Sequence, residues 1–255
     1  MSDPFESSRR KIAWAKKNLA NLNRRIDKFL SQKNLYTVFT EPDTHNPQHM
    51  VHKMRLVKQI PDGLSELTGN IIDDLRSALD HALFGIARIG KSATGPLNAY
   101  FPFAGDVSHF ENNLRGRCKD IPVELWPLLR SYEPYKGGSE LLFALNEVCG
   151  ANKHGLLLPI GTATVTAETV IEGTGFWSMP AAPIWDWAKQ EMELFTTGPQ
   201  PKLRANIRVG FYIAFSEIDS VAGKPAIPVL DDFVRMVQTI LSEIEAECRR
   251  LGIIK

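Results

Sequence analysis

Apolar residues recur along this chain at two periods, and the change from one to the other divides it. Phe5, Ile12, Leu19 and Ile26 stand seven residues apart, with Ala15, Leu22 and Phe29 on the intervening offset, so residues 5–32 are expected to form one long amphipathic helix. Residues 35–41 and 50–58 are rich in β-forming side chains and flank Pro42-Asp43 and Asn46-Pro47, the pattern of a hairpin with a long loop. Pro61 opens a second helix over about residues 62–90, in which Ile72, Leu75, Leu79, Ala82, Leu83 and Ile86 keep a helical period.

After Gly95-Pro96, shorter helical segments at about 106–116, 121–132 and 138–151 are limited by Pro122, Pro127 and Pro134. From residue 156 the period becomes strand-like. Ala163, Val165 and Ala167 alternate with Thr162, Thr164, Thr166 and Glu168, and Leu203, Ala205, Ile207, Val209, Phe211, Ile213 and Phe215 share one parity. The Trp- and Pro-rich residues 177–187 read as a loop laid over that sheet. A last helix over about residues 228–251 buries Leu230, Phe233, Val234, Val237, Leu241 and Ile244, with Asp231 and Asp232 in its first turn, Arg249 and Arg250 in its last, and Gly252 behind as a cap. No internal repeat interrupts this order. The expected architecture is a single α+β domain over residues 1–255. A helical core is joined by an antiparallel β-sheet, made from the hairpin at about 35–58 and an insertion at about 156–217, and the C-terminal helix returns to the bundle.

Composition narrows the class. Of 255 residues, 44% are hydrophobic and 23% charged, which excludes disordered and collagenous chains. No apolar run approaches eighteen residues, and none follows Arg9-Arg10-Lys11, so neither a membrane span nor a signal peptide is expected. Cys118, Cys149 and Cys248 are odd in number and widely spaced, which argues against a disulfide framework and fits a reducing cytoplasm. The net charge of +1 hides an asymmetry: residues 1–60 carry twelve basic against five acidic side chains. Arg9, Arg10, Lys16, Lys17, Arg24 and Arg25 on the first helix are therefore candidates for a polyanion-facing surface, to which the resemblance described below assigns an RNA backbone, against the simpler role of a solvated face.

Two motifs compete for the chemistry. Gly85-Ile86-Ala87-Arg88-Ile89-Gly90-Lys91-Ser92 matches the phosphate-loop pattern G-x-x-x-x-G-K-[ST]. That loop needs a strand before the glycines and a helix after the lysine, and here the preceding residues are helical, so Gly90 reads as a helix cap and nucleotide binding through this segment is the third-ranked function. The other motif is Arg76-Ser77-Ala78-Leu79-Asp80-His81, an Arg-x4-His element inside the second helix. His81 is expected on the side of the helix away from the core stripe, about 200° round from Leu79. Arg76 is flanked by Asp73 and Asp80, so an ordinary salt-bridge ladder is the competing account.

Leu75 to His81, together with Phe101-Pro102-Phe103 and Asn152-Lys153-His154, resembles a group of uncharacterised bacterial proteins that share an L-R-S-A-L-D-H helix and a later K-H pair; the similarity spans about residues 35–160. The Arg-x4-His element also resembles the HEPN superfamily, helical bundles in which such a motif at a dimer interface cleaves RNA without metal. That resemblance implies a homodimeric ribonuclease, in a toxin or phage-defence setting, with Arg76, Ser77 and His81 catalytic. His81 would take a proton from the ribose 2′-hydroxyl, Arg76 would stabilise the phosphorane and Ser77 would orient the phosphate. Asp73, Asp80, Lys153 and His154 are supporting candidates. No cofactor is implied and no metal site is assigned. His45, His49 and His52 do not converge on a strand, and Lys153-His154 before Gly155 suits a helix end. The trio Trp177, Trp185 and Trp187 suits a sheet cover, and no nucleophilic elbow surrounds any serine. Two function classes stand: a metal-independent endoribonuclease, or a non-catalytic dimeric binding or scaffold protein in which the same residues are salt bridges.

Overall fold

The computed structural model describes residues 3–58, 61–90, 97–153, 159–172, 177–178, 185–186, 189, 191–198, 202–215 and 220–254. The chain is a mixed α+β protein. In order it forms α1 (Glu6–Leu30), β1 (Tyr36–Pro42), β2 (Met50–Leu56), α2 (Asp62–Gly90), α3 (Val107–Arg117), a 3-10 turn (Val123–Leu125), α4 (Trp126–Ser131), α5 (Glu140–Lys153), β3 (Pro159–Glu172), β4 (Trp177–Ser178), β5 (Trp185–Asp186), β6 (Glu191–Thr197), β7 (Lys202–Phe215) and α6 (Ala226–Arg250). Among the described residues no helix is long and apolar enough to cross a membrane.

These elements fall into two compact units. One holds Met1–Arg24, Asp62–Leu158 and Phe215–Lys255; the other holds Arg25–Pro61 and Pro159–Ala214. The first unit is helical and carries the Arg-x4-His element. Its core is built from wide apolar stripes: α2 buries Ile71, Ile72, Leu75, Leu79, Leu83 and Ile86 and packs against α5 and α6. The stripe expected on α6 is buried throughout, from Leu230 to Ile244. On α1 the seven-residue series is buried as expected, Phe5 to Phe29. Helix α6 begins two residues earlier than its acidic pair suggests, so Asp231 and Asp232 lie beyond its first turn. It ends as expected: Gly252 has φ +70°, its N–H donates to Arg249 O at 3.0 Å, and Ile253 N–H donates to Cys248 O at 2.9 Å, a closed helix end that needs a left-handed residue. Pro127 at the start of α4 turns the helix expected at 121–132 into a 3-10 turn and a short helix.

In the second unit β1 and β2 make the expected antiparallel hairpin, with Tyr36 opposite Leu56 and Pro42 opposite Met50. β2 pairs next with β6, whose other edge carries β4 and β5. Residues 177–187 are thus a correction: two short strands, Trp177–Ser178 and Trp185–Asp186, lie within the expected loop. β6 has no strand of its own in the expected pattern: the alternation Glu191-Met192-Glu193-Leu194 is short, and its two carboxylates differ, since Glu193 is exposed whereas Glu191 is 5% exposed and accepts from Arg55 Nε at 2.6 Å. β3 pairs with β7 apart from the hairpin, in a separate two-stranded sheet, so the single antiparallel sheet expected from the hairpin and the insertion is not formed among the described residues.

Gly85 explains the first letter of the phosphate-loop pattern. A Cβ there would lie 2.1 Å from the carbonyl oxygen of Pro4, so the start of the chain and α2 approach backbone to backbone. Gly85→Ala is expected to destabilise the protein by about 1–3 kcal/mol through this overlap. The check is the urea midpoint, and an unchanged midpoint would show that Pro4 moves aside freely.

Candidate functional site

Helix α2 presents one outward stripe, Asn70, Asp74, Ser77, His81, Phe84 and Arg88, because steps of three and four residues stay on one face. Arg76 and Asp80 lie off this stripe, on the flank toward α5. Both are mostly buried, with side chains 18% and 19% exposed. Arg76 Nη1 donates to Asp80 Oδ2 at 2.7 Å and Nε donates to Asn146 Oδ1 of α5 at 3.3 Å. The guanidinium carbon stands 4.9 Å from the centre of the Phe103 ring. Asp80 uses its other oxygen, Oδ1, to accept the backbone N–H of Phe101 at 2.8 Å. The Arg and Asp of the L-R-S-A-L-D-H segment therefore tie three pieces of chain together: α2, α5 and Phe101-Pro102-Phe103.

Asp73 serves a different partner from the one expected. Its Oδ1 accepts the Cys149 thiol at 3.1 Å, again between α2 and α5. Of the predicted ladder, the Asp80 rung forms with Arg76, while Asp73 is turned to the buried cysteine. Ser77, on the outward stripe, is half-buried.

His81 points the other way, as expected for residues about 140° apart on one helix. Its Nδ1 lies 2.8 Å from Ser7 Oγ at the start of α1. One helical turn along, Lys11 Nζ donates to Asp74 Oδ1 at 2.7 Å, so α1 and α2 run antiparallel with polar links at successive levels. Beside His81 a groove of about 570 Å³ is lined by Asp3, Pro4, Ser7, His81, Phe84, Gly85, Arg88 and Ile89. Nothing in the sequence pattern signalled Ser7, which enters through the packing of α1 on α2, whereas Arg88 lies two turns along the same stripe as His81. Arg76 and His81 are thus not brought together within one chain.

Arg9, Arg10, Lys16, Lys17, Arg24 and Arg25 of α1 are exposed, as expected for a solvated face. Several are engaged: Arg9 pairs with Asp3 and with Glu245, 2.7 Å away; Arg10 pairs with Glu6 at 2.7 Å; Arg24 Nε donates to the Ala20 carbonyl at 3.4 Å; and Lys17 Nζ stands 5.1 Å from the Trp14 ring centre. Lys16 and Arg25 complete that surface. Lys153 is the last residue of α5; His154, Lys91 and Ser92 lie outside the described residues. His45 and His49 lie in the hairpin loop, where the His45 N–H donates to Asp43 Oδ1 at 2.8 Å. His52 stacks on Phe195 at 4.3 Å with Nε2 3.0 Å from Thr197 Oγ1, and burial holds it below the usual imidazole value. Comparison with family models, curated proteins and solved structures finds no match for the chain.

All three cysteines are buried. Burial, with the Asp80 charge, pushes the Cys118 thiol up to about 12, and burial with the Glu247 and Glu245 charges does the same for Cys248. A neutral thiol held in the fold gives stability that is complete below the ordinary value near 9 and is lost as pH rises toward about 12. The three thiols are expected to resist an aromatic disulfide reagent at pH 8 in the native protein and to react after denaturation; rapid native labelling would contradict their burial. Arg76→Ala and Asp80→Asn are each expected to cost about 1–3 kcal/mol, with a coupling of about 1 kcal/mol in a double-mutant cycle. Strictly additive losses would show that the contact contributes nothing.

Proposed function

We propose that this chain is a non-catalytic binding protein, in which the L-R-S-A-L-D-H segment is framework and the groove beside His81 is the working surface. The observation that carries the reading is the engagement of Arg76 with Asp80, Asn146 and Phe103 on the flank of α2 turned away from His81. A guanidinium that stabilises a phosphorane must offer its charge to the substrate, and here a carboxylate 2.7 Å away already neutralises it. Trp14 of α1 and Phe84 and Ile89 of α2, 50%, 41% and 37% exposed, add apolar surface, which supports a second copy of the chain as one partner.

One observation favours a second reading, the HEPN-like metal-independent endoribonuclease. His81 is only half-buried, lines an open groove, and has one ring nitrogen bonded to Ser7. In that reading His81 is the general base, the stabilising guanidinium comes from a twin subunit, Ser77 orients the phosphate, and the exposed basic side chains of α1 hold the RNA backbone.

One assay separates the two. Purified protein incubated with RNA in EDTA is expected to leave it intact, at a rate indistinguishable from the His81→Ala variant. Cleavage abolished by His81→Ala, with the thermal midpoint unchanged, would overturn the binding reading and establish the nuclease.

A further inference from the structure

The groove between the start of α1 and the last turns of α2 brings His81 of the Arg-x4-His element together with residues that the element does not name. His81, Phe84 and Arg88 follow one another at i, i+3 and i+7, so an imidazole, an aromatic face and a guanidinium line up along one stripe. Arg88 is exposed and has no carboxylate partner among the described residues; its guanidinium carbon stands 5.8 Å from the centre of the Phe84 ring. Phe84 is 41% exposed, unusual for a phenyl ring on a helix otherwise so deeply buried. Ser7 Oγ occupies His81 Nδ1 at 2.8 Å, which fixes the ring and leaves Nε2 for a ligand. The floor is closely packed, since Gly85 and Pro4 meet backbone to backbone.

The one carboxylate in the lining, Asp3, is already committed. It accepts the Phe5 N–H at 3.0 Å through Oδ1 and pairs with Arg9 through Oδ2. Arg9 in turn reaches Glu245 at 2.7 Å. The unneutralised charge of the groove is therefore that of Arg88. Its volume of about 570 Å³ lies within the span of small-molecule sites.

Resting on the binding reading above, the geometry points to a small phosphorylated ligand that carries a planar ring, of the nucleoside monophosphate class. Arg88 receives the phosphate, in the bidentate manner a guanidinium favours. The ring of the ligand lies against the open face of Phe84. His81 Nε2 hydrogen-bonds the hydroxyl-bearing part between them. This site shares Gly85, Arg88 and Ile89 with the phosphate-loop pattern, yet it uses side chains of a helix rather than a loop of backbone N–H groups.

The test is calorimetric titration of the full chain with adenosine monophosphate, adenosine and inorganic phosphate in separate runs. The monophosphate is expected to bind about tenfold or more tightly than either fragment. Arg88→Gln is expected to reduce it to the level of adenosine. Phe84→Ala is expected to weaken the monophosphate and adenosine while leaving phosphate unchanged. Both side chains are exposed, so the thermal midpoint of each variant should match the parent, and a matched midpoint is required before its titration counts. Equal binding of adenosine and its monophosphate, indifference to Arg88→Gln, or no heat from the monophosphate at millimolar concentration would each overturn the inference. Those outcomes leave the binding reading standing if RNA survives in EDTA, whereas RNA cleavage removes that reading whatever the titration gives.

Discussion

A guanidinium withdrawn four-fifths from water must find both its counter-charge and its hydrogen bonds inside the protein, and the arrangement around Arg76 follows from that demand. Asp80, one turn on, supplies the charge, Asn146 an acceptor and Phe103 an aromatic face. Asp80 would be stranded in turn with a single partner, and its second oxygen takes the N–H of Phe101. The residues that decorate α2 between its apolar positions thereby fix where α5 and the Phe101–Phe103 segment lie. Cys149 on Asp73 repeats the device one turn earlier. With these contacts in place, α2 can be buried on most of its circumference and still have no unmatched charge on that flank.

The remaining strip of α2 is set by the same division. Polar side chains that bridge to neighbours leave the flank dry, while His81, Phe84 and Arg88 line a groove with Asp3, Pro4 and Ser7 at the start of α1. The groove follows from how α1 meets α2: polar links at Lys11 and Ser7 hold α1 against α2, and at Pro4 the chain crosses Gly85 backbone to backbone. One motif has thus been separated into a structural half, Arg76 and Asp80, and an exposed half, His81. A pattern that names both residues cannot distinguish those roles, since spacing fixes angle on a helix but not what stands opposite.

Much of the helical unit was legible because its signals are local. The seven-residue series of α1, the stripe of α6 and the glycine behind it each depend on residues within a few turns, and each lies where the pattern puts it. β6 was not legible, because its alternation covers only Glu191 to Leu194 and its buried carboxylate, Glu191, is matched by Arg55, far away in sequence. The pairing of β4 and β5 with β6 depends on that unseen strand. The same limit governs the site. The outward setting of His81 and its alignment with Phe84 and Arg88 follow from helical phase, whereas Ser7, Asn146 and the N–H of Phe101 become neighbours of His81 or of Arg76 only through tertiary packing.

The crossing at Gly85 has a consequence for how such chains drift. Two main chains in van der Waals contact leave no room for variation at the crossing point, so descendants that retain this meeting are confined to one amino acid there for steric reasons alone. With a second glycine and a lysine nearby arising independently, that confinement can counterfeit a ligand signature, and inheritance of the letter would then record a collision avoided rather than a substrate bound.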